Sequence, residues 1–378
     1  MCIKRPGLSV SFLGATVLAV PALGQTLDLS KTSSEFSGDF RYRHERIDDQ
    51  KFNDAGDEST DSRVRQRLRL RLQMDAKINP KVSVTARFAS GTADAASTNE
   101  SLDGGFQSKN AWLDLAYLTY KPVDGAKVLA GKMKNPFMRV GKSQLIWDSD
   151  VNPEGATAGY TLGGEGLNLS ATAGHFWVNE IKSPDVEDVV LNAGQLAVGF
   201  TNSLVKVTAG TSIYAYEALR AADSAEAKVS FKGNLSLADE DGDLTFENDF
   251  RLQNYFSEVK LQKMPVSFYY DHVVNTKVDD DKEGWLAGFS IGKTKGDLPV
   301  KLSYNYRVVE KEAVVGAFND SDFAGGNTNA KGHTISVGYG IAKNVKLGLT
   351  QFIVKANIAD GEQEEDYQRG MADIAVKF

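Results

Sequence analysis

The last ten residues alternate. Gly370, Ala372, Ile374, Val376 and Phe378 fall on one side of an extended chain, and Arg369, Met371, Asp373, Ala375 and Lys377 on the other. One face is apolar, and the pattern runs out to the aromatic Phe378. A soluble domain would leave that face and its backbone edge bare. A closed transmembrane β-barrel uses such a strand, because lipid-facing and lumen-facing residues alternate along it. The terminal strand is then expected to pair with the first, which assigns Phe378 to barrel closure and assembly.

The same period of two recurs upstream. Phe36, Phe40 and Tyr42 oppose Asp39, Arg41 and Arg43; Leu167, Leu169 and Ala171 oppose Asn168, Ser170 and Thr172; Val300, Leu302 and Tyr304 oppose Lys301, Ser303 and Asn305. Counting weaker segments, the sequence predicts sixteen strands, an even number as single-chain bacterial barrels require. The connections support this independently. Short ones (78–81, 122–125, 163–166, 201–203, 262–265, 292–298, 342–344) alternate with long ones (48–61, 90–110, 134–155, 179–188, 217–248, 275–282, 311–331, 355–366). Short periplasmic turns and long extracellular loops follow that rule. The fold class is therefore expected to be all-β, a transmembrane antiparallel barrel of about sixteen strands.

Lys4 and Arg5 precede an uncharged apolar stretch from Leu8 to Val20, and Ala22-Leu23-Gly24 offers a small-residue cleavage site. The expected organisation is a Sec-type signal peptide over 1–24, a short periplasmic segment over 25–35 and the barrel over 36–378. Cys2 leaves with the signal, so the mature chain has no disulfide or thiol site. The formal net charge of −7 argues against nucleic acid as a partner. The negative mean hydropathy is compatible with a membrane location, since barrel strands need only every second residue apolar.

Arg63, Arg65, Arg67, Arg69 and Arg71 take every second position of one segment. In a strand they form one basic stripe; with Arg41, Arg43 and Arg87 on neighbouring strands they form a basic wall facing the lumen. Two compatible roles follow: a field across an aqueous pore, or ion pairs that hold the wall together. Asp148, Asp150 and Glu154, in the connection 134–155, are candidate constriction acids if that loop folds inward, and ordinary turn residues if it does not. Asp239-Glu240-Asp241-Gly242-Asp243 fails the spacing of a calcium loop and reads as a solvated acidic loop. Gly288-Phe289-Ser290-Ile291-Gly292 matches a nucleophile-elbow pattern but sits inside an alternating strand. His44, His175, His272 and His333 lack metal-ligand spacing. No catalytic residue, metal or cofactor is expected.

Lys132-Met133-Lys134-Asn135-Pro136-Phe137, Leu145-Ile146-Trp147-Asp148-Ser149-Asp150-Val151-Asn152-Pro153-Glu154-Gly155 and Phe318-Asn319-Asp320-Ser321-Asp322-Phe323 with Gly325-Gly326-Asn327-Thr328-Asn329 resemble the Gram-negative outer-membrane proteins called putative porins. So does the arginine strand, and the likeness runs from about Ser37 to Phe378. The resemblance implies a sixteen-stranded barrel in the outer membrane, an aqueous channel and a homotrimer. It also implies recognition of the terminal strand by the barrel-assembly machinery. The partners would be outer-membrane lipid and lipopolysaccharide, with small hydrophilic solutes and ions in passage. A structural or adhesive barrel with a blocked lumen is the second expectation, and a barrel enzyme a distant third. Small inward residues such as Gly288, Ser290, Gly292, Gly338 and Gly340 favour an open lumen.

Overall fold

The computed structural model describes residues 33–48, 62–182, 186–222, 228–238, 242–296, 298–359 and 361–378. The expected signal peptide, most of the first long connection and the acidic run at 239–241 lie outside them. Among the described residues sixteen long strands form one barrel: β1 Ser33–Asp48, β2 Arg63–Asn79, β3 Val82–Ser90, β4 Ala111–Tyr120, β5 Ala126–Lys132, β6 Glu154–Gly163, β7 Leu167–Asn179, β8 Val189–Thr201, β9 Val205–Glu217, β10 Arg251–Leu261, β11 Val266–Asn275, β12 Glu283–Gly292, β13 Val300–Val309, β14 Ala330–Ala342, β15 Val345–Ala356 and β16 Glu365–Lys377. Each pairs antiparallel with the next, and β16 pairs back on β1, with Phe40 opposite Val376 and Arg43 opposite Asp373. A two-residue strand, Glu100–Ser101, adds to β2, and a small hairpin, Ser236–Ala238 with Leu244–Phe246, lies apart.

The alternation in the sequence becomes the two faces of this sheet. Leu70, Leu72, Leu169, Leu196, Leu302, Val337, Leu349 and Ile374 are exposed on the outer face, where hydrocarbon would cover them. Their neighbours on the same strands point inward. The first strand starts at Ser33, slightly before the expected boundary, because its ladder with β2 continues to Ser33 opposite Lys77.

Short turns gather at one end of the barrel and the longer connections at the other, as the sequence predicts, with one exception. The connection 276–282 is no longer than the turn 293–299. The first is drawn tight by Asn275, whose amide donates to the carbonyls of Asp249 and Glu312. The second tucks into the barrel mouth, where a Cβ on Gly340 would stand 2.4 Å from the Thr294 carbonyl.

The long connections do not simply project outward. Segments 91–99, 133–153 and 310–329 turn into the lumen, and the interior side of the β6–β12 wall is packed rather than open. Phe137, Leu145 and Trp147 of the second segment meet Phe176, Tyr214, Phe256, Tyr269 and Leu286 from the wall. Phe137 lies edge-on to Tyr214 at 5.3 Å, and Trp147 stacks on Phe318 of the third segment at 6.2 Å.

The barrel closes at Gly38 and Phe378. The Gly38 N–H donates to the Phe378 carbonyl at 2.8 Å, and the Phe378 N–H returns to the Gly38 carbonyl at 3.0 Å. A Cβ on Gly38 would lie 2.6 Å from the Phe378 ring, so the ring takes the space that glycine leaves. Deleting Phe378 and the substitution Gly38→Leu are both expected to lower the yield of folded barrel in membranes. Heat-modifiable mobility on gels measures that yield, and normal yield in both variants would contradict this account of closure.

Candidate functional site in the barrel lumen

The arginine strand lies on the inner face, as its alternation requires; the lipid face would cost about 2–4 kcal/mol per arginine at mid-depth. Its register with β1 puts Arg71 opposite Asp39, Arg69 opposite Arg41, Arg67 opposite Arg43 and Arg65 opposite Glu45. Two basic rows therefore share one patch of wall, with carboxylates set into it. Asp39 accepts from Arg69 at 2.7 Å and from Arg71 at 2.8 Å. Glu45, fully buried, accepts from Arg65 and, at 2.5 Å, from Arg369 of β16. Arg43 grips Asp373 with two N–H groups at 2.7 and 2.9 Å. Arg87 donates to Asp114 at 2.5 Å. Arg63 is exposed at the long-loop end of its strand, outside this network.

The inward loops supply the remaining partners. Asp150 accepts from Arg71 at 3.4 Å and from the backbone and hydroxyl of Thr98 at 3.1 and 2.9 Å. Asp322 lies 3.3 Å from Arg43 and 2.6 Å from Arg369. Arg41 donates to the Asn99 side chain, and Arg67 donates to the Asn99 carbonyl at 3.2 Å. Asp320 pairs with Arg307 at 2.7 Å, and the Arg307 guanidinium sits 4.4 Å from the centre of the Phe323 ring. Each inward loop is thus pinned to a strand arginine by its own acid or amide.

The loops also meet one another. The Asp148 N–H donates to the Phe318 carbonyl at 2.7 Å, while its carboxylate accepts from the Ser321 N–H and hydroxyl, both at 2.9 Å. The same hydroxyl reaches the Ala96 carbonyl at 3.0 Å. The result is a polar layer across part of the lumen. A recess of about 310 Å³ sits on its long-loop side, lined by Arg65, Arg67, Arg369, Lys232 and Asp322.

The geometry separates the three acids singled out in the loop. Asp148 and Asp150 lie in this layer, both buried. Glu154 does not: it starts β6 on the outward-facing register, is largely exposed and pairs with Lys132 at 2.7 Å. Strand pairing of Glu154 with Lys132 removes it from the loop and turns it away from the arginines. Asp39, Glu45, Asp114, Asp322, Asp373, Arg307 and Arg369 belong to the network without having been singled out. The period of two could have found Asp39 and Glu45, which share a face with Arg41 and Arg43. Ser290 faces inward and pairs with the Ser267 hydroxyl at 2.9 Å. Among the described residues no group of acids, cysteines and histidines is arranged to hold a metal.

Charge state within the layer follows from its neighbours. Burial raises Asp150, but Arg69, Arg71 and the Thr98 donors outweigh it and hold the carboxyl below its ordinary range. Burial likewise raises Asp322, and Arg369 and Arg43 overcome it. Asp148 has hydrogen-bond donors but no basic side chain within 4.0 Å among the described residues: burial, then the charges of Asp320 and Asp150, push it up to about 8.

Against this geometry the comparisons agree. The model of the "Putative porin" family matches residues 41–243 and 238–378, so the chain belongs to that family. Among solved structures, Pseudomonas putida OprB aligns with a TM-score of 0.59 at 11% identity, covering 91% of this chain and 94% of its own. Salmonella typhi OmpF, in complex with daunomycin, aligns at 0.53 and 12%, covering 91% and 97%. At these identities the likeness is one of fold. No curated protein matches the sequence.

A raised carboxyl binds its proton in the folded loop and releases it on exposure. Its stabilising contribution is present below the ordinary carboxylate value of 3.8 and is lost progressively as pH rises to about 8. The contact between segments 133–153 and 310–329 is therefore expected to weaken over that window. Thermal unfolding of the barrel should show a falling transition temperature from mildly acid to neutral pH, and Asp148→Asn should flatten it. An unchanged slope in Asp148→Asn would contradict the assignment.

Proposed function

We propose that the protein is an outer-membrane porin, a channel for passive diffusion of small hydrophilic solutes and ions. The observation that carries this reading is a lumen with charged inward side chains behind an apolar outer face, on a chain of the porin family. Export by a signal peptide over 1–24, insertion by the barrel-assembly machinery, contact with lipopolysaccharide and assembly as a homotrimer belong to the same proposal. They are supported by the basic and apolar start of the sequence, the aromatic terminal strand and the family. A channel rather than an enzyme is the role the inner face supports, since its charges are arranged in ion pairs along a wall.

Within this reading the arginines have two duties. They clamp the inward loops through Asp150, Asp322 and Asn99, and they set part of the field a solute meets. A specific observation favours a second reading, a barrel whose lumen is blocked: the loops bond to each other through Asp148, Ser321 and Ala96.

Single-channel recording in planar bilayers separates the two. The porin reading expects stepwise, ohmic conductance from the purified folded protein, and its absence would leave the blocked barrel. Replacing Arg65, Arg67 and Arg69 together with Gln is expected to shift the reversal potential in a salt gradient toward cations. The shift should grow in dilute salt, because screening lengthens there. An unchanged reversal potential in a folded triple variant would make the stripe purely structural.

A further inference from the structure

The inner wall changes character between the polar layer and the short-turn end. Lys301 of β13, Lys346 of β15 and Lys377 of β16 all fall on inward positions, one or two residues from a short turn. The inward segment 133–153 adds Lys134 and Lys142, both exposed below the layer.

These five differ from Arg43, Arg65, Arg67, Arg69, Arg71, Arg87 and Arg369, which have a carboxylate within 4.0 Å. Among the described residues, none of the five has a carboxylate within 4.0 Å. Several inward acids of this half are already engaged, Asp39 by Arg69 and Arg71, Asp373 by Arg43, and Glu258 by Lys260, while Glu35 stands opposite Asp75 in the β1–β2 ladder. Asp75 is held by Thr85 and Gln73. The charges around the lysines are then mostly basic. The leading charges acting on Lys346 are those of Lys377, Lys142 and Lys295. Those acting on Lys301 are Lys142, Lys260, Glu258 and Lys346. Burial, then the charges of Arg87, Arg71, Arg139 and Lys377, push the Lys134 ammonium below its ordinary value.

Backbone geometry adds a second, independent observation. Lys142 adopts φ +63, a left-handed conformation that a residue with a side chain occupies at a cost. Gly141 before it also has positive φ and lies flat on the Tyr269 ring, where a Cβ would be 2.4 Å away. The turn is thereby seated on the wall while Lys142 stays exposed. Strain of this kind collects at ligand sites. Gly338, Gly340 and Gly348 occupy inward positions beside Lys301 and Lys346, so no bulky side chain screens the ammonium groups.

We propose that Lys134, Lys142, Lys301, Lys346 and Lys377 form an anion-binding ring at the short-turn end of the channel, and that it takes small oxyanions carrying two or more charges. The inference rests on the channel reading above. It follows from what the ring lacks: like charges without counter-charge create a positive potential in a confined lumen, which concentrates anions. A monovalent anion answers one ammonium, whereas a polycarboxylate or a phosphate answers two or more. Lysine suits this task, being a hydrated point charge on a flexible stem that binds and releases without the fixed bidentate geometry of arginine. Ion selectivity is thereby assigned chiefly to the lysines over those arginines whose charge a carboxylate answers.

The test uses the purified full-length barrel in planar bilayers. Wild-type channels are expected to prefer chloride over potassium in a KCl gradient. The combined variant Lys142→Gln, Lys301→Gln and Lys346→Gln should lower that permeability ratio by about threefold or more while channels still open. Citrate and inorganic phosphate, added separately, should each reduce wild-type chloride current, and the variant should need about tenfold more of either. Block by citrate alone or phosphate alone would support the ring and name its ligand; block by neither would overturn it. An unchanged permeability ratio in a conducting variant would also overturn it. Should the triple variant fail to fold, Lys346→Gln is compared with Lys346→Arg, and equal selectivity in the two counts against the ring. Failure of the channel reading would look different, with no conductance from wild-type protein.

Discussion

A strand in hydrocarbon cannot leave a backbone N–H or C=O unpaired, so a sheet that crosses a membrane must close on itself. Much else in this molecule follows from that closure. It requires β16 to find β1, which fixes the pairing of Phe40 with Val376 and brings Phe378 against Gly38. It forces side chains into two populations with no third place to go. Lipid-side positions carry leucine, valine and aromatic rings; every arginine of the β2 stripe is driven inward.

Inward placement creates the next problem. Arg41, Arg43, Arg65, Arg67, Arg69 and Arg71 crowd one patch of wall, and like charges on neighbouring strands repel. The structure answers with acids from two sources. Asp39, Glu45 and Asp373 come from the wall itself, in register with the arginines. Asp150 and Asp322 come from distant loops, which must enter the lumen to deliver them. Loop entry is thus coupled to the charge of the wall, and the aromatic packing of Trp147 against Tyr214 and Phe318 seats those loops once inside. Buried ion pairs of this sort contribute little net stability against apolar replacements, but breaking one partner is costly. Their effect here is to specify where the loops sit.

What the sequence could disclose follows from which forces are local. Alternation is local, so strand positions and the inward sense of the arginines were legible from period two. So was Ser290, whose strand setting argued against a nucleophile. The inward fold of 133–153 was not, because it depends on contacts between Asp148 and Ser321 or Asp150 and Thr98, far apart in the chain. Glu154 was misplaced for the same kind of reason: its strand ladder with Lys132, rather than its proximity in sequence to Asp150, decides which way it points. The lysines escaped notice because nothing in a strand pattern reveals whether a charge is answered. With Asp39, Asp373 and Glu258 paired elsewhere, the lysines have no carboxylate within 4.0 Å among the described residues.

The central claim is that loop acids and wall arginines form one interacting unit. A double-mutant cycle on Asp322→Asn and Arg369→Gln measures it most directly, since the pair joins segment 310–329 to β16 at 2.6 Å. The readout is the temperature at which folded barrel converts to the unfolded form. The account expects a double variant clearly less destabilised than the sum of the singles, with a coupling of about 1 kcal/mol or more. Strict additivity in folded variants would contradict it, and would mean the loop is held in the lumen by packing alone.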